Sequence, residues 1–142
     1  MNYEKTVEAA RKAWEHNDCA VKALAIACDV PYPVAHKTLK QLGRRGRCGT
    51  RRTLTIEAFK ALGFKMEIIR HTAKTVKTLP RDSAVQTGYF VALVSGHILA
   101  IVNGKVEDHS EGSSRRIKLV GKILPVVSRK ERARLKAEIM KG

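Results

Sequence analysis

Residues 17–27 have the sequence NDCAVKALAIA, and this stretch decides the fold. Between Asp18 and Cys28, apolar residues at helical spacing form one stripe, and further apolar residues cover most of the remaining surface. Lys22 is almost the only charge inside the segment. Because a helix that is apolar nearly all round is buried on more than one side, we predict a helix over 18–28 that runs through the middle of the fold, with Cys28 in the core.

Four further helices are predicted around this central one from apolar spacing and capping residues. They span residues 3–15, 33–42, 55–62 and 128–141. Trp14 belongs to the apolar stripe of the first of these helices, and Ser128 caps the last, which is strongly basic. Residues 44–52, RRGRCGTRR, form what we call the basic loop, in which Cys48 is expected to be exposed.

The second half of the chain is rich in strand-forming residues. We predict strands over 65–70, 89–94, 97–102, 105–109 and 117–127, the last one bent at Gly121. Ser95-Gly96 and Asn103-Gly104 suit two-residue hairpin turns. Helices followed by an antiparallel sheet are typical of an α+β fold.

Length and composition set the outer bounds. A chain of 142 residues with 44% hydrophobic residues can form one domain with a core but not two, so we expect a single domain over 1–142. Three cysteines do not make a disulfide scaffold, the start of the chain does not resemble a signal peptide, and no stretch approaches the ~18 apolar residues of a membrane span. We therefore expect a protein of a reducing cytoplasm with no membrane partner.

Cys19 lies in the first turn of the predicted central helix. The partial positive charge and free N–H groups of a helix N-terminus lower a thiol pKa and offer donors to an oxyanion. Counting around the helix places Cys19 on the side away from Val21 and Leu24, facing the predicted sheet. The alternative is that Cys19 is a small buried hydrophobic residue.

The predicted hairpin brings a histidine and an aspartate together. A two-residue turn at 103–104 pairs Leu99 with Asp108, so His97 and Asp108 share a face as diagonal neighbours about 7–8 Å apart. A carboxylate there can hold one imidazole nitrogen and aim the other. By the same count, His109 points to the opposite face. The alternative is a surface histidine and an aspartate that only ends the strand.

Three stretches together resemble a family of small, mostly phage-encoded papain-like proteins. They are NDCAVKALAIA at 17–27, PYPVAHKTLKQLGRRGRCGT at 31–50 and GYFVALVSGHILAIVNGKVEDH at 88–109. The motifs are NDC-x-x-[KR]-A-L-A-I-A and GH-x(4)-V-x-G-x(3)-D, and the resemblance covers residues 14–110. It implies a papain-like α+β fold in which Cys19 is the nucleophile of a cysteine hydrolase, His97 the base and Asp108 the orienting residue.

The resemblance also implies the chemistry. A peptidase or isopeptidase of this kind acts by acyl transfer on a protein or peptide substrate and needs no cofactor: Cys19 attacks, His97 takes its proton and later protonates the leaving amine, and Asp108 holds the imidazole. Papain-like enzymes usually place a glutamine before the cysteine to complete the oxyanion hole, but no glutamine precedes Cys19 here. The Asn17 amide is the candidate replacement, unless Asn17 and Asp18 merely cap the helix.

A metal site is not predicted. The chain has three cysteines and five histidines, but neither a C-x-x-C nor an H-x(3)-H spacing.

The charge suggests an anionic partner. With 28 Lys and Arg against 13 Asp and Glu, the net charge is +15, which attracts nucleic acid, anionic membranes or acidic proteins. The densest run is the basic loop, which holds Arg44, Arg45, Arg47, Arg51 and Arg52 and no acidic residue. It is a candidate for binding phosphates, for selecting an acidic substrate, or for a merely solvated loop.

A binding protein is therefore the alternative function. It would be a weak or inactive papain-like scaffold, a basic phage protein that binds nucleic acid or an acidic host or virion protein. Its location would be the host cytoplasm or the virion. No helix-turn-helix, aromatic RNA-binding platform or zinc finger indicates sequence-specific recognition of nucleic acid.

Overall fold

The computed structural model describes residues 1–142. Its elements are α1 (Tyr3–Lys12), α2 (Cys19–Ala27), α3 (Tyr32–Gln41), α4 (Arg52–Ala61), β1 (Phe64–Ile69), two short 3₁₀ helices (Val76–Arg81 and Ser83–Val85), β2 (Tyr89–Val94), β3 (His97–Val102), β4 (Lys105–Glu107), β5 (Ile117–Pro125) and α5 (Arg129–Lys141). The predicted α+β class is confirmed, since helices come first and a five-stranded antiparallel sheet follows. None of the helices combines the length and apolar character needed to cross a membrane.

The sheet has the strand order β1-β5-β2-β3-β4, with every pair antiparallel. Strands β2, β3 and β4 form the predicted meander, and Val102 pairs with Lys105 across the two-residue turn as expected. Strand β5 lies between β1 and β2, so it crosses back over the sheet. A Cβ atom at Gly121 of β5 would lie 2.5 Å from Met66 Cγ. Only glycine therefore leaves room for the Met66 side chain, which comes from β1, to pack over this point of β5.

Helix α2 is the centre of the larger hydrophobic core. Every residue from Ala20 to Ala27 is buried except Lys22, and the helix packs on β3 on one side and on α1, α3 and α4 on the others. This confirms the prediction of a central helix. Cys28 follows it in the core, also as expected.

A second apolar cluster covers the other face of the sheet. Val76, Leu79 and Val85 of the 3₁₀ helices pack there with Leu99 and Ile101 of β3. The central strands are thus buried on both faces, which explains why β2 and β3 are almost continuously apolar. The segment between β1 and β2, which contains both 3₁₀ helices, therefore covers this face.

Several predicted element ends are wrong. Helix α4 begins at Arg52 rather than at residue 55, and strand β5 ends at Pro125 rather than at residue 127. Helix α1 ends at Lys12 rather than at residue 15, and Trp14 is 79% exposed instead of lying in the apolar stripe. The backbone turns left-handed at Trp14, with φ of 56°, so the helix cannot continue through it. Strand β4 ends at Glu107 rather than at residue 109, because the chain turns away from the sheet at Asp108.

Candidate active site

Cys19 is the first residue of α2, and the helix N-terminus around it has no side-chain cap. Asp18 occupies the N-cap position but makes no capping hydrogen bond, and the first intrahelical bond is donated by Lys22 to the Asp18 carbonyl. The Asp18 carboxylate instead accepts a hydrogen bond from the Tyr32 hydroxyl at 2.6 Å and pairs with Lys22 at 3.1 Å. The N–H groups of the first turn therefore keep their positive potential beside the thiol.

The structure brings the three predicted catalytic residues together in the lining of one pocket. His97 Nε2 lies 2.8 Å from Asp108 Oδ2, and both side chains are buried. Cys19 and His97 line the same two pockets, and the His97 ring lies close enough to the thiol to lower its pKa. Because Asp108 engages Nε2, Nδ1 is the nitrogen left for the sulfur.

The pKa shifts favour an ion pair between sulfur and imidazole. The hydrogen bonds from Asp108 and Cys19 raise the pKa of His97 to about 9, although burial opposes this. Burial raises the pKa of the Cys19 thiol, but hydrogen bonds from His97 and from the Ile98 and Ala20 backbones outweigh it, so that the pKa falls below its usual value. Both shifts favour the state in which His97 carries the proton and the sulfur carries the negative charge.

His97 reaches Cys19 from the end of its strand and not from the face that alternation suggests. Leu99 and Ile101, which share the predicted face with His97, pack in the second apolar cluster, on the side of the sheet away from α2. His97 is the first residue of β3, and the backbone of the next residue, Ile98, contacts the thiol. The N-terminus of α2 thus meets the sheet at the strand end, where a side chain is free to turn across the edge.

Ser110 is a site residue that the sequence analysis missed. Its backbone N–H donates to Asp108 Oδ2 at 3.0 Å, and its hydroxyl donates to the same oxygen. Burial raises the pKa of Asp108, but the bonds from His97 and Ser110 lower it overall. An Asp-x-Ser turn after a strand is the available sequence signal, and it fixes the carboxylate that orients His97.

The prediction that His109 points away from the site is wrong. Its ring centroid lies 5.0 Å from that of His97, and its Nδ1 lies 3.7 Å from Asp108 Oδ2. The reason is the early end of β4, beyond which strand alternation no longer applies. His97, Asp108 and His109 place potential metal-ligand atoms within 4.8 Å of one another, and the bond between the first two already explains this closeness.

Asn17, the candidate oxyanion donor, lines a pocket together with Cys19 and His97. Its Nδ2 donates to the Arg47 carbonyl at 3.4 Å, so the amide ties the start of α2 to the basic loop. Its role toward an oxyanion stays a prediction. The backbone N–H of Cys19, at the uncapped start of α2, is the other donor beside the sulfur.

Two pockets of about 320 Å³ each meet at Cys19 and His97. The first, which we call the apolar pocket, has Ile56, Met66 and Leu93 among its lining and the cations Arg52 and Lys118 beside them. None of its lining residues is a carboxylate. The second, the polar pocket, holds Asn17, Asp18, Lys22, Asp108 and His109. A substrate chain could therefore lie across Cys19 with one part in each pocket.

The basic loop is anchored beside this cleft by one buried carboxylate. Glu15 pairs with Arg44 at 3.2 Å and also accepts hydrogen bonds from His36 and from the Arg47 backbone. Burial raises the pKa of Glu15, but these partners lower it to about 2 overall. Arg44 is 6% exposed and is therefore structural, not part of a surface patch.

The other four arginines of the basic loop lie at the surface, where a partner can reach them. Arg45, Arg47, Arg51 and Arg52 are exposed, and Gly49 lines both pockets at Cys19. The loop therefore borders the cleft through Gly49 and Arg52, and its other three exposed arginines lie outside the pocket linings.

The two remaining cysteines are placed as predicted. Cys28 is buried, which raises its pKa well above the usual value, and Cys48 is exposed. Neither cysteine lies beside an imidazole that would activate it.

A thiol of lowered pKa beside an imidazole that a carboxylate orients can carry out nucleophilic acyl transfer. The cleft beside the thiol gives a substrate access to it. Comparison of the chain with protein-family models, with curated proteins and with solved structures finds no match.

Proposed function

We propose that the protein is a papain-like cysteine hydrolase of the small phage-encoded type that its motifs resemble. It acts by acyl transfer on an amide or isopeptide bond of a protein or peptide, in the cytoplasm of the host cell. The observation that carries this proposal is the hydrogen-bonded pair of His97 and Asp108 beside Cys19, which lies at an uncapped helix N-terminus. The packing of that helix on an antiparallel sheet that contains His97 and ends next to Asp108 supports a papain-like fold.

The proposed reaction has two steps. In the first, the Cys19 thiolate attacks the carbonyl carbon, and the carbon–nitrogen bond breaks as the His97 proton passes to the leaving amine. A thioester forms. In the second, water attacks the thioester, His97 takes a proton from it, and the carboxylic product leaves with the thiolate restored. Asp108 holds the ring throughout, and the Cys19 backbone N–H stabilises the oxyanion.

The cleft favours an acidic substrate that carries an apolar side chain. Ile56, Met66 and Leu93 offer an apolar surface next to the sulfur. Arg52 and Lys118 border it with no carboxylate between them, so an acidic residue next to the apolar side chain is attracted.

Selective labelling with iodoacetamide tests the nucleophile. Near pH 7, Cys19 should react faster than Cys48 although Cys48 is more exposed, because the pKa of Cys19 is lowered by its surroundings. His97→Ala should slow the labelling of Cys19 about 10²–10⁴-fold. Peptide mapping by mass spectrometry assigns the label, and Cys48 in the same sample is the internal control. Equal rates for Cys19 and Cys48 would contradict the proposal.

One observation favours the alternative of a basic binding scaffold without turnover. The Asn17 amide is engaged by the Arg47 carbonyl, and no glutamine precedes Cys19, so the oxyanion has one fewer side-chain donor than in papain-like enzymes. A scaffold of this kind would still label at Cys19 but would not release amine from any peptide. Single-turnover assays with activated thioesters and amides separate the two functions.

A further inference from the structure

The end of α1 places a tryptophan where helices normally place glycine. The Trp14 N–H donates to the Arg11 carbonyl at 3.2 Å, and the Glu15 N–H donates to the Ala10 carbonyl at 2.9 Å. This is the hydrogen-bond pattern of a Schellman motif, whose left-handed residue is usually glycine. Here that residue is Trp14, with φ of 56°.

Three other helices end on a left-handed residue, and none of these residues is bulky. Helix α2 ends on Asp29, with φ of 51°, a residue type that tolerates this conformation. Helices α3 and α4 end on Gly43 and Gly63, which have φ of 113° and 88°. A bulky residue with positive φ is strained, and Trp14 does not recover that cost by packing, because 79% of it is exposed. Neither the helix end nor the core explains the tryptophan. Strained residues that packing does not explain concentrate at functional sites.

The surroundings of Trp14 are cationic. Arg47 Nε donates to the Trp14 carbonyl at 2.9 Å, which fixes the basic loop against the end of α1. Arg11 and Lys12, on the last turn of α1, are exposed, as is Arg45 in the loop. Glu15 adds no free negative charge, because Arg44 and the Arg47 backbone engage it below the surface. An exposed indole thus lies where the basic last turn of α1 meets the basic loop, and the one exposed ion pair there joins Lys12 to Glu8 at 3.6 Å.

We propose that Trp14 and the surrounding cations Arg11, Lys12, Arg45 and Arg47 bind single-stranded nucleic acid. The indole stacks on one base while the cations contact phosphates. Single strands fit because their bases are open to stacking, whereas duplex bases are stacked on one another. An acidic peptide would satisfy the cations but offers no base to the ring. This binding goes beyond the proposed hydrolase activity and does not need Cys19.

The intrinsic fluorescence of the protein reports directly on this surface, because Trp14 is its one tryptophan. An oligothymidylate of about 15 nucleotides should quench the emission saturably at low salt. The affinity should fall steeply as salt rises, because counterions are released on binding. Cys19→Ser should bind as tightly as the wild type, which separates this surface from the active site.

Trp14→Gly is the decisive variant, since it removes the ring while relieving the backbone. Its Tm should stay the same or rise, but its affinity for a dye-labelled oligothymidylate should fall about five- to a hundredfold. Arg45→Gln should make the plot of log affinity against log salt shallower by about 0.7. Lys130→Gln, which removes the same charge from the exposed start of α5, is the matched control and should leave the affinity unchanged.

Two results would overturn the inference. One is an unchanged affinity of Trp14→Gly for the oligonucleotide, which would leave the indole without a role in binding. The other is that polyglutamate, or a duplex of the same length, quenches Trp14 and depends on it as strongly as the single strand. In that case the surface recognises an acidic protein or negative charge in general.

Discussion

A single proton, shared between Cys19 and His97, sets the chemistry that we propose. The Asp108 hydrogen bond is the largest cause that raises the pKa of His97 to about 9, and burial lowers it. The imidazole is therefore protonated at neutral pH and able to give its proton to a leaving amine. The thiol loses its proton below its usual pKa. The active form therefore exists in the pH range above the pKa of the thiol and below the pKa of the imidazole.

This leads to a prediction for the pH dependence of amide hydrolysis. The kcat/KM profile should be bell-shaped and should fall as the pH rises through about 9, because His97 then loses the proton it must donate. Asp108→Asn should move this alkaline limb to lower pH, since it removes the carboxylate that raises the pKa of His97. Alkylation of Cys19 should show no alkaline fall, because it requires only the thiolate. Stopped assays of amide hydrolysis across pH 5–11, on the wild type and on Asp108→Asn, measure the position of the alkaline limb.

Glu111→Gln is the matched control, because it neutralises an exposed carboxylate in the same turn. Its alkaline limb should coincide with that of the wild type. If the limb of Asp108→Asn also stays in place, His97 does not owe its raised pKa to Asp108.

At the scale of elements, the β3–β4 hairpin positions two of the three catalytic residues. The turn residues Asn103 and Gly104 both have positive φ, 48° and 80°, as a tight two-residue turn requires. The turn sets the register of β3 against β4, and Asp108 follows directly after the end of β4. A change in the turn is therefore felt at the opposite end of the hairpin, where His97 meets Asp108.

Gly104→Ala should both destabilise the protein and slow the labelling of Cys19. A Cβ atom there would lie 2.8 Å from Gln86 Oε1, and the left-handed backbone adds strain, which together should lower the unfolding free energy by about 1–2 kcal/mol. Urea melts give the stability, and iodoacetamide labelling under folding conditions gives the reactivity of the site.

Gly43→Ala provides the comparison for Gly104→Ala. Gly43 also has positive φ, but a Cβ atom would meet nothing within 4 Å. It should lose stability through the backbone alone and keep the labelling rate of the wild type. Normal labelling in a destabilised Gly104→Ala protein would show that the hairpin register does not control the site.

The charge of the whole molecule gives the proposed substrate preference its physical basis. The net charge of +15 gives a field that attracts anions to the cleft. Most exposed cations face solvent singly, and each alone adds little to the binding energy of an anion. Arg52 and Lys118 differ because both border the apolar pocket next to Cys19, where a bound substrate would hold an acidic residue close to them.

The double variant Arg52→Gln and Lys118→Gln should therefore change specificity and not chemistry. We expect kcat/KM for an acidic peptide with an apolar residue beside the scissile bond to fall about three- to tenfold. The difference should shrink as salt screens the cations. Rates for the neutral peptide and for iodoacetamide should not change, and Lys130→Gln should behave as the wild type. An equal loss on the neutral peptide would mean that the two side chains shape the pocket and do not read charge.

Local interactions explain what the sequence by itself determined. The apolar surface of α2, the Asn103-Gly104 turn and the strands β2 and β3 all follow from side-chain periodicity and turn conformation, which involve residues a few positions apart. The register of β3 and β4, and with it the contact of His97 with Asp108, is local in the same sense. The α+β class could therefore be predicted before the structure was known.

Only the tertiary structure decided the features that depend on distant partners. Arg44 is buried because Glu15, 29 positions earlier, lies against it, and no local pattern indicates such a pair. β5 pairs with β1 on one edge and with β2 on the other. Several other strand orders would also pair both of its edges. Cys19 meets His97 because α2 packs on β3 with its N-terminus at the strand end. Such placements depend on contacts between residues far apart in the chain, and a periodic pattern carries no information about which distant surface will cover it.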